Sequence, residues 1–212
     1  MDAHAWDERY AASDLVWSAT PNQFVAAELG GLRPGRALDL AAGEGRNSLY
    51  LAGLGWRVTA VDFSRAGLDK GRRLQQAQGL DAESVDWVPA DVLTYDAGAA
   101  TYDLVLLAYL QLVPDERRTA MRRGFSALRQ GGTFFVVAHD RSNLTEGTGG
   151  PSDPDVLYTA AEVLGDLDGE RFEVERAERV ARVVAAPAGG SHEHPGDESR
   201  TAYDALVRLV RT

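Results

Sequence analysis

The fold is decided by the stretch ALDLAAGEGRNS, residues 37–48. Its first five residues are an apolar run of the kind that forms a buried parallel strand. Gly43 and Gly45 then make a Gly-x-Gly turn, and a helical pattern leaves the turn from Arg46. A strand, a glycine turn and a helix in this order predict a nucleotide-binding turn, and the surrounding residues have to identify the nucleotide.

Strand-like and helical patterns alternate five times along the chain, which is typical of a doubly wound α/β sheet with right-handed crossovers. The last two strand patterns have no helix between them, so we expect them to pair antiparallel. The sequence predicts one domain over residues 1–212, with a helical cap segment at 1–30 and a core at 31–212. The fold expected is a single-domain, seven-stranded, mostly parallel sheet with helices on both faces and an antiparallel last strand. The predicted strands are 37–41, 56–61, 84–88, 102–107, 133–138, 172–184 and 203–210.

Three local patterns lead to further expectations. Thr20-Pro21 resembles a helix N-cap followed by proline at the first helical position. Residues 130–132 (Gln-Gly-Gly) predict a turn before the fifth strand. The segment 141–155 is rich in Gly, Pro, Ser and Asp and is long for a connection, so it is either a lid or ordinary surface loop.

Composition excludes several classes of function. The 212 residues contain no cysteine, so disulfides, thiolate nucleophiles and cysteine-based zinc sites are absent. The net charge of −10 argues against a nucleic-acid partner. No signal-like segment opens the sequence and no apolar run is long enough to span a membrane. We therefore expect a cytoplasmic protein, a monomer or homodimer, that does not bind membranes.

The residues around the turn distinguish the possible cofactors. A dinucleotide-binding turn has a third glycine where this chain has Ser48, and no P-loop motif is present. Asp39, Asp62 and Asp91 each lie at the end of a predicted strand, where ligands of such sheets bind. A carboxylate after the second strand can accept both ribose hydroxyls, and Phe63 beside it offers a face for a purine. Asp39 suits a cation better than a pyrophosphate.

An adenosine with a cationic group and little provision for phosphate fits S-adenosylmethionine. The alternative is that the three acids only cap turns at their strand ends. A NAD-linked oxidoreductase and a non-catalytic protein that binds S-adenosylmethionine also stay open as functions.

The chain resembles the class I S-adenosylmethionine-dependent methyltransferases with their Rossmann-like fold. Within them it is most similar to the bacterial tellurite-resistance and thiopurine-methyltransferase-like group. Segments 38–64, 89–92, 102–110 and 128–132 carry the resemblance. It implies methyl transfer from S-adenosylmethionine to a small molecule, with the cofactor held by Asp39, Ala41, Gly43, Gly45, Arg46, Asp62, Phe63, Asp91, Val92, Ala108 and Tyr109.

The resemblance also implies a role for each part of this set. The amino-acid end of the cofactor would lie against Asp39 and residues 41–43, with Arg46 near its carboxylate. Asp62 would bind the ribose, and Phe63 with residues 91–92 would surround the adenine. The pair at 108–109 would lie along the methionine and sulfonium. Ala41 stands where relatives usually have glycine.

The acceptor side is predicted from less specific patterns. Tyr10 and Trp17 belong to an aromatic N-terminal segment that either covers the site or packs on the sheet. His192 and Arg200 match a His and an Arg eight positions apart in the tellurite-resistance relatives, so both are candidate substrate contacts and His192 a candidate catalytic base. The relatives have arginine where this chain has Glu193, which disfavours an oxyanion acceptor.

Two further histidine patterns have a structural alternative. The pair His192-x-His194 is a weak metal motif, and we predict no metal site. His139 follows the fifth predicted strand, where it either faces the crevice or lies at the border of the core.

Overall fold

The computed structural model describes residues 6–8, 10, 20–184 and 200–212. The strands are Arg36–Leu40 (β1), Arg57–Asp62 (β2), Val85–Pro89 (β3), Tyr102–Ala108 (β4), Leu128–His139 (β5), Phe172–Val184 (β6) and Arg200–Arg211 (β7). The helices are Gln23–Leu29 (α1), Arg46–Gly53 (α2), Arg65–Ala77 (α3), Pro114–Ala127 (α4), Asn143–Glu146 (α5) and Ala160–Asp166 (α6). Short 3₁₀ turns lie at Ala82–Ser84 and Pro154–Val156.

The seven strands form one sheet in the order β3-β2-β1-β4-β5-β7-β6. Strands β1 to β5 are parallel, and β7 is antiparallel to both β5 and β6. The predicted doubly wound sheet with its antiparallel last strand is confirmed. Because β7 runs antiparallel to β5, its first residues lie at the same border of the sheet as the carboxyl ends of the parallel strands β1 to β5, and we call this border the carboxyl edge.

Alternate residues of a strand point to opposite faces of the sheet. Both faces of this sheet are apolar, and helices cover both. Phe134 belongs to the core cluster under α4 and α6, together with Phe125 and Tyr158. Its neighbour Phe135 belongs to the cluster on the other face, which also contains Trp56. Since both faces are buried, the central strands are almost entirely apolar, and such continuous apolar runs can be predicted as strands from the sequence.

Two local predictions were wrong. Asn22, not Thr20, caps the first helix, and its side chain accepts hydrogen bonds from the backbone N–H groups of Phe24 and Val25. The predicted turn at 130–132 lies within β5, which begins at Leu128. The pairing of β4 with β5 shifts register at this point, so the strand absorbs the two glycines as an irregularity.

The segment 141–155 folds back toward the carboxyl edge. It contains α5 and leads into the second 3₁₀ turn. Gln111 connects this region to the sheet: it accepts a hydrogen bond from the backbone N–H of His139 at 3.0 Å and donates one to the carbonyl of Val156 at 2.5 Å. A Cβ at Gly150 would lie 2.9 Å from the His139 ring, so the segment covers that side chain. No helix in the described ranges is long and apolar enough to cross a membrane.

Candidate cofactor and acceptor site

The turn after β1 has a left-handed backbone at three positions. The φ angles are 63° at Ala41, 57° at Gly43 and 74° at Gly45. Glycine adopts this conformation without steric cost, whereas alanine does not. At Gly45 there is a second reason for glycine, since a Cβ there would overlap the ring of Trp87. The turn therefore exposes backbone without side chains at the carboxyl edge, and α2 begins directly after it.

Asp39 lies buried behind this turn. Its side chain is almost completely inaccessible, and the hydroxyl of Ser48 donates a 2.6 Å hydrogen bond to its Oδ2. Burial raises the pKa of Asp39 from 3.8 to about 7; the Ser48 hydrogen bond and nearby Arg46 oppose the shift, and Asp62 adds to it. A carboxyl group held in this state gains from a cation placed beside it.

Asp62 is buried at the end of β2 and organises two loops. Its Oδ2 accepts the backbone N–H of Gly43 at 2.8 Å, and its Oδ1 accepts that of Ser64 at 2.9 Å. Burial raises its pKa, and the two backbone hydrogen bonds limit the rise. A carboxylate oxygen has two lone pairs, so each oxygen keeps one for a further donor such as a ribose hydroxyl.

The residues expected around an adenine have different environments. Phe63 is only partly buried and belongs to neither core cluster. Asp91 is exposed, and its Oδ1 accepts the backbone N–H of Leu93 at 2.8 Å, as in a capped turn. Val92 is buried within the core under α4. The groups available to a ligand are thus the aromatic face of Phe63 after β2 and the second carboxylate oxygen of Asp91 after β3.

Arg46 begins α2 and connects the turn to the neighbouring strand end. It is half-buried, and burial lowers the pKa of its guanidinium, while Tyr109 and Asp39 act in the opposite direction. Tyr109 follows β4 with a left-handed φ of 59°. A tyrosine in this conformation is strained, which is found most often at functional positions. Ala108 before it is partly exposed.

Two described residues of the N-terminal segment, Asp7 and Tyr10, contact the loops after β1 and β2. Tyr10 is buried, and its hydroxyl would lie 2.5 Å from a Cβ at Gly43. Asp7 accepts hydrogen bonds from the Ser64 hydroxyl at 2.5 Å and from the backbone N–H of Ala66 at 3.2 Å. Of the predicted aromatic cover, Tyr10 therefore contacts the glycine turn, whereas Trp17 lies outside the described residues.

A polar cluster that the sequence analysis missed lies at the same edge. Asp204 on β7 is fully buried; its Oδ2 accepts hydrogen bonds at 2.8 Å from the Tyr109 hydroxyl and from Nε of Arg182. Its Oδ1 lies 3.3 Å from Nδ1 of His139. Asn22 donates to the Tyr109 hydroxyl at 3.2 Å, so the cap of α1 joins the cluster. The available signal was an aspartate directly before the apolar run 205–207 in the last strand.

The two residues predicted from the late loop have separate outcomes. Arg200 is the exposed first residue of β7, at the carboxyl edge. His192 and the loop 186–199 lie outside the described residues, and so does His194 of the metal motif. The described residues contain no group of three or more His, Asp or Glu side chains arranged to hold a metal ion.

The central part of the chain matches a known protein family. Residues 37–132 match the family model described as a methyltransferase domain. The matched stretch contains the glycine turn, all three strand-end acids and Tyr109.

The chain is also similar to curated proteins over a longer stretch. One is cypemycin N-terminal methyltransferase of a Streptomyces species, 34% identical over 159 residues, which are 70% of this chain. The matched region is 62% of that relative, so the chain spans about three fifths of its length.

Solved structures agree in fold. A structure from the study of disulfide-to-thioacetal conversion in echinomycin biosynthesis aligns with a TM-score of 0.72 and 22% identity, covering 99% of this chain and 92% of the other. TehB from Haemophilus influenzae aligns with a TM-score of 0.69 and 17% identity, covering 91% and 63%.

Proposed function

We propose that this protein transfers a methyl group from S-adenosylmethionine to a small-molecule acceptor by in-line displacement. The observation that carries the proposal is the placement of Asp39, Asp62 and Asp91 at or just beyond the ends of three neighbouring parallel strands, beside a left-handed glycine turn. The matched methyltransferase domain contains all of these residues. A dinucleotide is disfavoured as the ligand because this edge offers carboxylates where a pyrophosphate-binding site needs hydrogen-bond donors.

The chemistry of each group fits one part of that cofactor. Asp39 is poised to ionise beside a cation, and Arg46 nearby is suited to a carboxylate. Asp62 keeps one free lone pair on each oxygen for the two ribose hydroxyls. Phe63 offers an aromatic face, and the exposed carboxylate of Asp91 can accept a hydrogen bond from an amino group. We assign the cofactor's amino-acid end to the β1 turn and its adenosine to the ends of β2 and β3.

The bound cofactor supplies an already activated methyl group, so the chain mainly has to align the acceptor and exclude water. Tyr10 over Gly43 and the covering segment around Gly150 are placed to do the latter. Ala108 and Tyr109 lie on the β4 side of the turn, which is where we place the transferred methyl.

The acceptor is proposed by class only. The Streptomyces relative is an N-terminal methyltransferase, which makes an amine one candidate. The net charge of −10 disfavours nucleic acid. We propose His192 and Arg200 as acceptor contacts, with His192 a candidate base. We also propose that the chain is most similar to the tellurite-resistance group, although Glu193 argues against an oxyanion as the acceptor. A monomer or homodimer is proposed.

Calorimetric titration with S-adenosylmethionine, S-adenosylhomocysteine and NAD tests the proposal. We expect both adenosyl sulfur compounds to bind and NAD not to bind. Binding of NAD alone would instead support an oxidoreductase. Binding of S-adenosylmethionine without transfer to any acceptor would support a non-catalytic binding protein.

A matched pair of variants tests the site itself. Asp62→Ala removes the carboxylate at the end of β2, and we expect it to weaken cofactor binding at least tenfold, about 1.4 kcal/mol. Asp86→Ala removes an exposed carboxylate from the body of β3, away from the carboxyl edge, and should leave binding unchanged. Equal affinities for the two variants would place the cofactor elsewhere.

A further inference from the structure

The cluster around Asp204 contains an imidazole–carboxylate pair. His139 is the last residue of β5 and pairs with Asp204 in the β5–β7 register. Nδ1 of His139 and Oδ1 of Asp204 are both buried, have no hydrogen-bond partner among the described residues and lie 3.3 Å apart, while 15% of the histidine side chain remains exposed. Since the two ring nitrogens point in nearly opposite directions, Nε2 is directed away from the carboxylate.

Asp204 is held as an anion. Burial opposes its ionisation, but contacts with His139, Arg182 and Tyr109 outweigh that effect and lower its pKa. A buried carboxylate this close to Nδ1 favours the tautomer that carries its proton on Nδ1, because that proton can close the 3.3 Å gap as a hydrogen bond and Nε2 is then an acceptor.

Tyr109 is not suited to the same role. Its hydroxyl donates a hydrogen bond to Asp204. Burial raises the pKa of Tyr109, and the negative charge of Asp204 raises it further. The phenol therefore stays protonated and serves to position the carboxylate. Its ring centre lies 4.9 Å from that of His139, so the imidazole is next to the strand end where we place the methyl group.

We propose that His139, oriented by Asp204, removes a proton from an acceptor whose attacking atom is an amine nitrogen or a hydroxyl oxygen. This rests on the proposed methyl transfer. The acceptor lone pair forms the new bond to the methyl carbon, and the electrons of the carbon–sulfur bond pass to sulfur. The proton of the acceptor N–H or O–H passes to Nε2. Soft nucleophiles without such a proton would not need the pair, so it indicates the acceptor class.

Several charged groups surround the pair and bear on any pH dependence. Asp204 and Arg182 face it from β7 and β6, and Tyr109 faces it from the end of β4. Arg46 at the start of α2 interacts electrostatically with Tyr109. Asp140 follows His139 directly, but its Oδ1 accepts hydrogen bonds from Ser142.

The tautomer of His139 tests the arrangement without an acceptor. In ¹⁵N-histidine protein bound to S-adenosylhomocysteine at alkaline pH, long-range proton–nitrogen correlations show which nitrogen is protonated, and His139→Gln assigns the signals. We expect the proton on Nδ1. Asp204→Asn should move it to Nε2, because the amide can donate to Nδ1. A proton on Nε2 in the unsubstituted protein, or an unchanged tautomer in Asp204→Asn, would overturn the proposal.

Methyl transfer to matched probes tests the acceptor class. With methyl-¹³C-labelled S-adenosylmethionine, we expect benzylamine or phenol to be methylated above the protein-free rate. His139→Gln should lower that rate about 100-fold at pH 7 and less at pH 9, where more of the acceptor has already lost its proton. Transfer to benzyl mercaptan alone, or an equal loss at both pH values, would contradict the role.

Binding separates this inference from the proposed function. His139→Gln should bind S-adenosylhomocysteine within about threefold of the unsubstituted protein. If the unsubstituted protein itself fails to bind it, the methyltransferase proposal fails. If binding is normal but the tautomer or pH results go the other way, only the base fails.

Discussion

The hydroxyl of Ser48 donates a 2.6 Å hydrogen bond to Oδ2 of buried Asp39. Ser48 occupies the position where a dinucleotide-binding turn has its third glycine, which allows close packing of helix on strand. In this chain the side chain at that position instead binds the carboxyl group of Asp39. The same residue that argues against NAD in the sequence thus supports the acid on which the proposed cofactor site depends.

Asp39 should make the protein less stable as the pH rises. Its pKa is about 7 in the folded state and 3.8 for an ordinary aspartate, so at pH values between these two the folded state binds the extra proton. The stabilisation is complete below pH 3.8 and is lost as the pH rises through 7. Asp39→Asn should match the unsubstituted protein near pH 4 and exceed its free energy of unfolding at pH 8 by up to about 4 kcal/mol. Urea unfolding of both proteins at each pH measures the difference, and parallel pH profiles would contradict it.

Cofactor affinity should follow the opposite trend. A cation beside Asp39 favours the ionised carboxylate, so affinity should rise with pH up to about 7 and binding should release a proton below it. Calorimetry in two buffers of different ionisation enthalpy measures that proton. Asp39→Asn should bind more weakly and release no proton from this position. The same proton release in both proteins would exclude Asp39 as its source.

Ala41→Gly should stabilise the protein by about 1 kcal/mol, because alanine bears a steric cost at a φ of 63° that glycine does not. Ala42→Gly is the matched control: its φ is not in the left-handed region, so the change should destabilise by a few tenths to about 1 kcal/mol. Thermal unfolding compares the two, and a shift of the same sign for both would contradict the argument.

Gly45→Ala should be more damaging than Gly79→Ala. Both glycines have positive φ, 74° and 67°, so both variants bear the cost of a left-handed alanine, about 1–2 kcal/mol. Only at Gly45 would the new Cβ also overlap Trp87, since nothing lies within 4 Å of the position at Gly79. Urea unfolding should show the larger loss for Gly45→Ala, together with weaker cofactor binding. Equal losses would mean that Trp87 moves away freely.

From the sequence, the residues around the β1 turn could be placed at this edge more readily than the cluster around Asp204. The buried parallel strands and the glycine turn are local patterns, and the three acids are found by counting from them. The cluster around Asp204 joins residues up to 182 positions apart (204 − 22), which only the insertion of β7 between β5 and β6 brings together. His139 could be named but not assigned, because its partner lies on the last strand.

The helix start at Asn22 was missed for a similar reason. Thr20-Pro21 has the residue types of a cap, but Asn22 also receives a tertiary contact, since its backbone N–H donates to the side chain of Asn47 at 2.9 Å. A contact between α1 and α2 thus fixes where the first helix begins, and propensity alone does not report it.

The outermost strand, β6, affects how copies of the protein meet at high concentration. An exposed strand at the border of a sheet is a template for aggregation unless charge or shape interrupts it. Along β6, glutamates and arginines outnumber the exposed valines, and several of these charges are paired, as Arg176 is with Glu178 at 2.6 Å. A second molecule adding its own strand here would have to separate these pairs and strip their water. Of the two outer strands in the described part of the chain, the longer one is therefore less prone to extend the sheet into a fibre.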